Sequence, residues 1–181
     1  MSYVDNILST WDRTTAAQRE AGATWYGEAR EAAAVLAGQS RRPLDVVAAV
    51  IAHLSPRTTW SRNLAGAASL LLTGTAPGCI GANVARAQAA IDAADPLSTI
   101  NGPKTRAFAA NILGDTDAVT VDVWALRIAT GTHTVDEKIL SRKGGYAAVA
   151  AAYREAADLV GVSPATMQAA TWIVARNGRV S

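Results

Sequence analysis

Apolar residues recur at three- and four-residue spacing along almost the whole chain, and no stretch alternates like a half-buried strand. That period commits the chain to helices packed on helices, an all-α fold. The densest run, LDVVAAVIAHL from Leu44 to Leu54, is apolar nearly all round and is expected to form a central buried helix. Elsewhere the spacing predicts helices over about 3–12, 15–37, 58–73, 82–93, 103–113, 120–130, 144–161 and 164–176. Pro43 suits the entry to the central helix and Ser55-Pro56 ends it. Ser163-Pro164 reads as an N-cap followed by a first-turn proline, and Gly178 as the stop of the last helix. Asp95-Pro96 and Asn101-Gly102-Pro103 bracket a short turn, while GDTDA and GTHTVDEK read as loops. Without repeats or low-complexity linkers, 1–181 is expected to be a single helical domain.

Composition excludes several classes. Half of the residues are apolar, enough for a sizeable core, and much of that half is alanine, which lets helices approach closely. Cys79 is the only cysteine, so an internal disulfide, a four-cysteine zinc site and a cysteine-ligated iron–sulfur cluster are ruled out. His53 and His133 lie far apart with no ligand spacing, and no metal or cofactor site is expected from side chains. His53, inside the most apolar helix, reads as a satisfied core histidine. The start MSYVDNILSTWDR lacks the pattern of a signal peptide, and no apolar run approaches a membrane span. A cytoplasmic protein is expected. A formal charge of +2 and a pI near 8.9 fit a nucleic-acid partner without arguing for one.

Two charged residues at helix starts concentrate the chemistry. Lys104 follows the turn Ile100-Asn101-Gly102-Pro103, where Gly102 permits a tight turn and Pro103 presets the first helical φ. Phe108, Ile112 and Leu113 are expected to be the buried stripe, with Lys104 on a different face. A lysine in the first turn opposes the helix macrodipole, which favours the neutral amine a nucleophile must be. Asp122 sits beside a stripe of Val121, Trp124, Ala125 and Ile128, in the expected first turn. There the dipole stabilises a carboxylate by about 0.3–1 kcal/mol. Read singly, either residue is an ordinary helix-end charge.

Three stretches in order, across about 43–130, resemble the helix-hairpin-helix (HhH-GPD) DNA glycosylases, the superfamily of endonuclease III. Leu54-Ser55-Pro56-Arg57-Thr58-Thr59 is similar to that family's Leu-Ser-x-x-x-Thr. Ile80-Gly81 leading to Arg86-Ala87 looks like its Ile-Gly-x-x-x-x-Lys-Ala. Lys104-Thr105 and Val121-Asp122, with Lys104 and Asp122 eighteen residues apart, match its lysine and aspartate without a gap. The resemblance implies two helical subdomains with a cleft between them and a helix-hairpin-helix motif, flanked by helices of 1–42 and 131–181 packed together.

It also implies an enzyme that binds double-stranded DNA and flips a nucleotide out of the stack. Lys104 would attack the sugar C1′ and form a Schiff base that permits strand cleavage, with Asp122 as activator. Asn101, Gly102 and Thr105 would clamp a phosphate, with a monovalent cation at the hairpin backbone and no other cofactor. Arg57 stands at the position of a gap-filling residue, and Thr58, Trp60 and Asn63 are base-pocket candidates.

The chain departs from the family in four ways, one of them a much shorter stretch between the Ile80-Gly81 helix and the hairpin. The hairpin reads Ser98-Thr99-Ile100-Asn101-Gly102 where the family has Leu-Pro-Gly-x-Gly, Trp124 stands where endonuclease III has histidine, and the iron–sulfur cysteines are missing. Arg57, Arg62, Arg106, Arg127, Lys138, Arg142 and Lys143 are candidates for a DNA face, or simply a solvated surface with Arg127 paired to a carboxylate. Trp60 reads as a stacking platform or a core cap, Asn63 as a base reader or a partner to a loop carbonyl, and Trp172 as core. Two alternatives share the scaffold: a transferase that modifies a modified thymine in viral DNA without excising it, and a non-catalytic DNA-binding module.

Overall fold

The computed structural model describes residues 1–176, so the expected stop at Gly178 lies outside the described residues. Among them all regular structure is helical: α1 (Tyr3–Asp12), α2 (Ala16–Ser40), α3 (Leu44–Leu54), α4 (Trp60–Thr73), α5 (Gly81–Asp92), α6 (Pro103–Leu113), α7 (Val123–Thr130), α8 (Gly145–Val160) and α9 (Pro164–Ala175). Short 3₁₀ turns cover Pro96–Thr99 and Glu137–Ser141. The second overlaps the end of GTHTVDEK, a stretch expected to be loop. Asp136 starts it by accepting from the Lys138 N–H at 3.0 Å, and Arg142 closes on the same carboxylate at 2.8 Å. No helix among the described residues is long and apolar enough to cross a membrane.

The chain divides into two compact units. Gly27–Gly114 forms one, and Met1–Tyr26 with the described chain from Asp115 to Arg176 forms the other. The motif-bearing stretch 43–130 is therefore shared, because α7 packs with α1, α8 and α9. In the Gly27–Gly114 unit α3 is the hub: it touches α4, α5, α6 and the Pro96–Thr99 turn, and every side chain from Val46 to Leu54 is buried. His53 is part of that core. Its Nε2 lies 2.9 Å from Thr99 Oγ1, and that hydroxyl donates to the Pro96 carbonyl, which makes Nε2 the donor. Burial first, and then the Arg86 cation, hold the imidazole below its ordinary value, so it stays neutral at neutral pH.

The other unit is built on Ile7, Trp11, Val121, Leu126, Val149, Tyr153 and Met167. Small residues set its spacing. A Cβ on Gly22 of α2 would stand 2.6 Å from the Ala170 backbone nitrogen of α9, a separation real side chains do not adopt. Tyr146 governs the entry to α7: its hydroxyl donates to the Val119 carbonyl at 2.7 Å and accepts from the Val121 N–H at 3.1 Å. Those backbone groups are thereby satisfied in an extended segment. This is why α7 begins at Val123 and not near Thr120.

Candidate functional site

Asp122 is the N-cap of α7, one residue ahead of the helix and not inside its first turn. Its Oδ1 accepts from the Ala125 N–H at 2.9 Å, and its Oδ2 accepts from the Trp172 indole N–H at 3.0 Å. The side chain is half-buried, and each carboxylate oxygen keeps lone-pair capacity after these bonds. Three tyrosines surround this start of α7. Tyr26 donates to Gln168 at 2.8 Å, Tyr146 to Val119, and Tyr153 to the Ala125 carbonyl at 3.4 Å. Burial is the main reason all three phenols are pushed up, Tyr146 to about 12, and the Asp122 charge adds to the push at each.

Trp172, read as core from sequence, is half-buried and bonded to Asp122 across fifty positions. No local pattern could have shown that bond. Of the expected stripe, Val121, Ala125 and Ile128 are buried, while Trp124 is half-exposed and Leu126 and Ala129 take its place in the core. Arg127 makes no ion pair among the described residues. Its guanidinium lies over the Trp124 ring at 4.8 Å.

Lys104 belongs to the Gly27–Gly114 unit, at the second residue of α6. It is half-buried and has no hydrogen-bond or ion-pair partner among the described residues. Four residues on, Phe108 is buried on the same helical face, so Lys104 borders the core stripe and does not sit apart from it. Leu113 is only half-buried, and Asn111 and Ala109 complete the stripe instead.

Gly102 caps α6 with φ −86° and ψ 136°, an ordinary extended geometry, so its expected role in permitting a tight turn is not used. No side chain caps α6, whose first-turn N–H groups follow the Asn101-Gly102-Pro103 corner. Asn101 is exposed and Thr105 half-buried. The Ile100 carbonyl, one of the hairpin oxygens considered for a cation, accepts from Arg106 Nη2 at 2.8 Å. No cluster of three or more His, Cys, Asp or Glu suited to a metal occurs among the described residues.

The pocket candidates lie in the same unit as Lys104. Arg57 is exposed at the α3–α4 corner with φ 62°, a left-handed conformation that costs a non-glycine residue about 1–2 kcal/mol. Thr58 beside it is exposed. Trp60 opens α4 half-buried and meets Phe108 edge-to-face, ring centres 6.3 Å apart. Trp60 and Lys104 thus both adjoin Phe108, one by contact and one by helical spacing. One turn past Trp60, Asn63 is 2 % exposed, and its Oδ1 is buried with no hydrogen-bond partner among the described residues.

Comparison with known proteins adds membership of a family without adding a function. Neither the curated proteins nor the solved structures yielded a match. A family model matches residues 1–179, and the chain belongs to that family, a family of unknown function designated DUF7178.

Proposed function

We propose that this protein acts on double-stranded DNA as a glycosylase with lyase capability, excising a damaged or modified base after flipping it from the stack. Lys104 carries the reading: a half-buried amine without a partner among the described residues, in the first turn of a helix that no side chain caps. Its lone pair attacks the sugar C1′ as the N-glycosidic bond breaks and the base leaves with the bonding electrons. Loss of a proton from nitrogen and opening of the sugar ring give the Schiff base, from which β-elimination cleaves the strand. Asp122, held by Ala125 and Trp172, supplies negative charge to the oxocarbenium-like sugar.

In this reading the Pro96–Thr99 turn through α6 forms the helix-hairpin-helix motif. Its Asn101-Gly102 corner and Thr105 hold a backbone phosphate through first-turn N–H groups. Arg57 fills the gap left in the duplex, and Thr58, Trp60 and Asn63 face the extruded base.

The test is to incubate duplexes carrying a panel of damaged and hypermodified bases with the protein and borohydride. A covalent adduct that Lys104→Ala abolishes supports the reading; no adduct across the panel overturns it. Mass spectrometry of nucleosides from DNA co-expressed with the protein separates excision, which leaves abasic sites, from group transfer, which leaves a new nucleoside. A second reading, a DNA-binding module without chemistry, draws on the structural work Asp122 already does as a cap. It expects salt-dependent duplex binding that survives Asp122→Asn, with no base release from wild type.

A further inference from the structure

Two arginines and two tryptophans meet beside the start of α7, and of these the proposed chemistry uses only the Trp172 N–H, as a hold on Asp122. Trp124 and Arg127 lie three residues apart on α7, and Trp172 and Arg176 four apart at the end of α9, spacings that stack each guanidinium on its own indole. Arg127 Cζ stands 4.8 Å from the Trp124 ring centre, and Arg176 Cζ stands 4.7 Å from Trp172 and 6.0 Å from Trp124. Both cations therefore crowd one indole. Neither has a carboxylate or any hydrogen-bond acceptor for its guanidinium among the described residues. Arg127 Nε is buried with no partner, which leaves a charged donor desolvated and unsatisfied. Asp122 does not relieve this: its oxygens accept from Ala125 and Trp172, and it pairs with neither arginine.

A guanidinium resting on a ring face spends none of its N–H groups on the ring, so the Nη groups of both arginines remain available. What the cluster lacks is an acceptor with several oxygens and negative charge. We propose that Trp124, Arg127, Trp172 and Arg176 form a binding site for a phosphate oxyanion. The Nη groups of Arg127 grip two of its oxygens and Arg176 a third. The phosphate is either that of a DNA backbone or that of a small molecule. The site does not depend on Lys104 chemistry, since occupancy is read without turnover.

The experiment uses the full chain and two probes: inorganic phosphate, and a duplex of about 12 base pairs with hydroxyl termini. Trp124 and Trp172 flank the site, so binding is followed by tryptophan emission. For the duplex, affinity is measured across a salt series. If backbone phosphate is held, Arg127→Met and Arg176→Met each lower the slope of log affinity against log salt, and together by no more than about 0.9, since both grip one phosphate. If free phosphate is held, wild type gives a saturable emission change with inorganic phosphate that both methionine variants lose and Arg127→Lys weakens. Should the methionine variants unfold, Arg127→Lys takes their place. The wild-type thermal midpoint must also rise in phosphate, or with the duplex, relative to chloride of equal ionic strength. Absence of a phosphate response in wild type, with a duplex salt slope the variants leave unchanged, overturns the proposal and leaves a packing clamp between α7 and α9.

Discussion

Replacing Asp122 separates its structural work from its proposed chemistry. Asp122→Ala removes the N-cap bond to Ala125, a loss of about 1 kcal/mol within a usual range of roughly 0.5–2. It also strips the Trp172 indole N–H of a charged acceptor. Such bonds contribute about 1.5–3 kcal/mol, and the half-buried position lets water replace part of that. Together the expected cost is about 2–3 kcal/mol. Asp122→Asn keeps the cap, since asparagine is as good an N-cap as aspartate. Like the alanine variant, it gives up the favourable charge at the α7 N-terminus, about 0.3–1 kcal/mol. Its NH₂ then faces the Trp172 N–H donor to donor, so the second bond is lost as well. The expected cost is about 1–2 kcal/mol, with the two variants separated by about 1 kcal/mol. Urea unfolding midpoints at equal slope measure both. An alanine variant within about 0.5 kcal/mol of wild type would refute the coupling of cap and indole. In the same preparations, the folded asparagine variant is expected to release no base.

Other perturbations test the packing and the buried histidine. Gly22→Ala forces a methyl to within 2.6 Å of the Ala170 backbone, and overpacking of about 1–3 kcal/mol outweighs the helix-propensity gain of about 0.5–1. Gly27→Ala meets nothing within 4 Å and is expected to stabilise by about 0.5–1 kcal/mol. Equal urea midpoints for the two variants would sink the close-approach argument. His53 is held below its unfolded value of about 6.5, so its contribution is fully present above that pH and is lost as pH falls from about 6.5 toward the lowered value. Within that window wild-type stability is expected to fall by up to about 1.4 kcal/mol per pH unit, and His53→Gln to flatten the profile. Parallel profiles for the two proteins would contradict it.

Local chemistry made most helices legible. α1 and α6 begin and end where periodicity placed them, because Ser2 and the Gly102-Pro103 pair are start signals that act within one turn. α4 begins two residues late, since Arg57 takes a left-handed turn and Thr59 becomes the cap. The 120–122 stretch escaped detection for a different reason. The Tyr146 hydroxyl that holds it extended comes from another helix. Long-range contacts also hid the Trp172 bond to Asp122 and the convergence of Arg127 and Arg176 on Trp124. Lys104 was legible as a residue at a helix start. Its border position beside Phe108, and not on a separate face, follows from helical spacing.

The most direct test of the central claim is to find which side chain the DNA sugar is joined to. After borohydride reduction on an active duplex, the protein is digested and the adduct-bearing peptide is sequenced by mass spectrometry. The adduct is expected on Lys104 alone, in wild type and in Arg57→Ala, and to be missing from Lys104→Ala although that variant stays as stable as wild type. An adduct on another amine, or base release with full activity in Lys104→Ala, would contradict the assignment of Lys104 as the nucleophile.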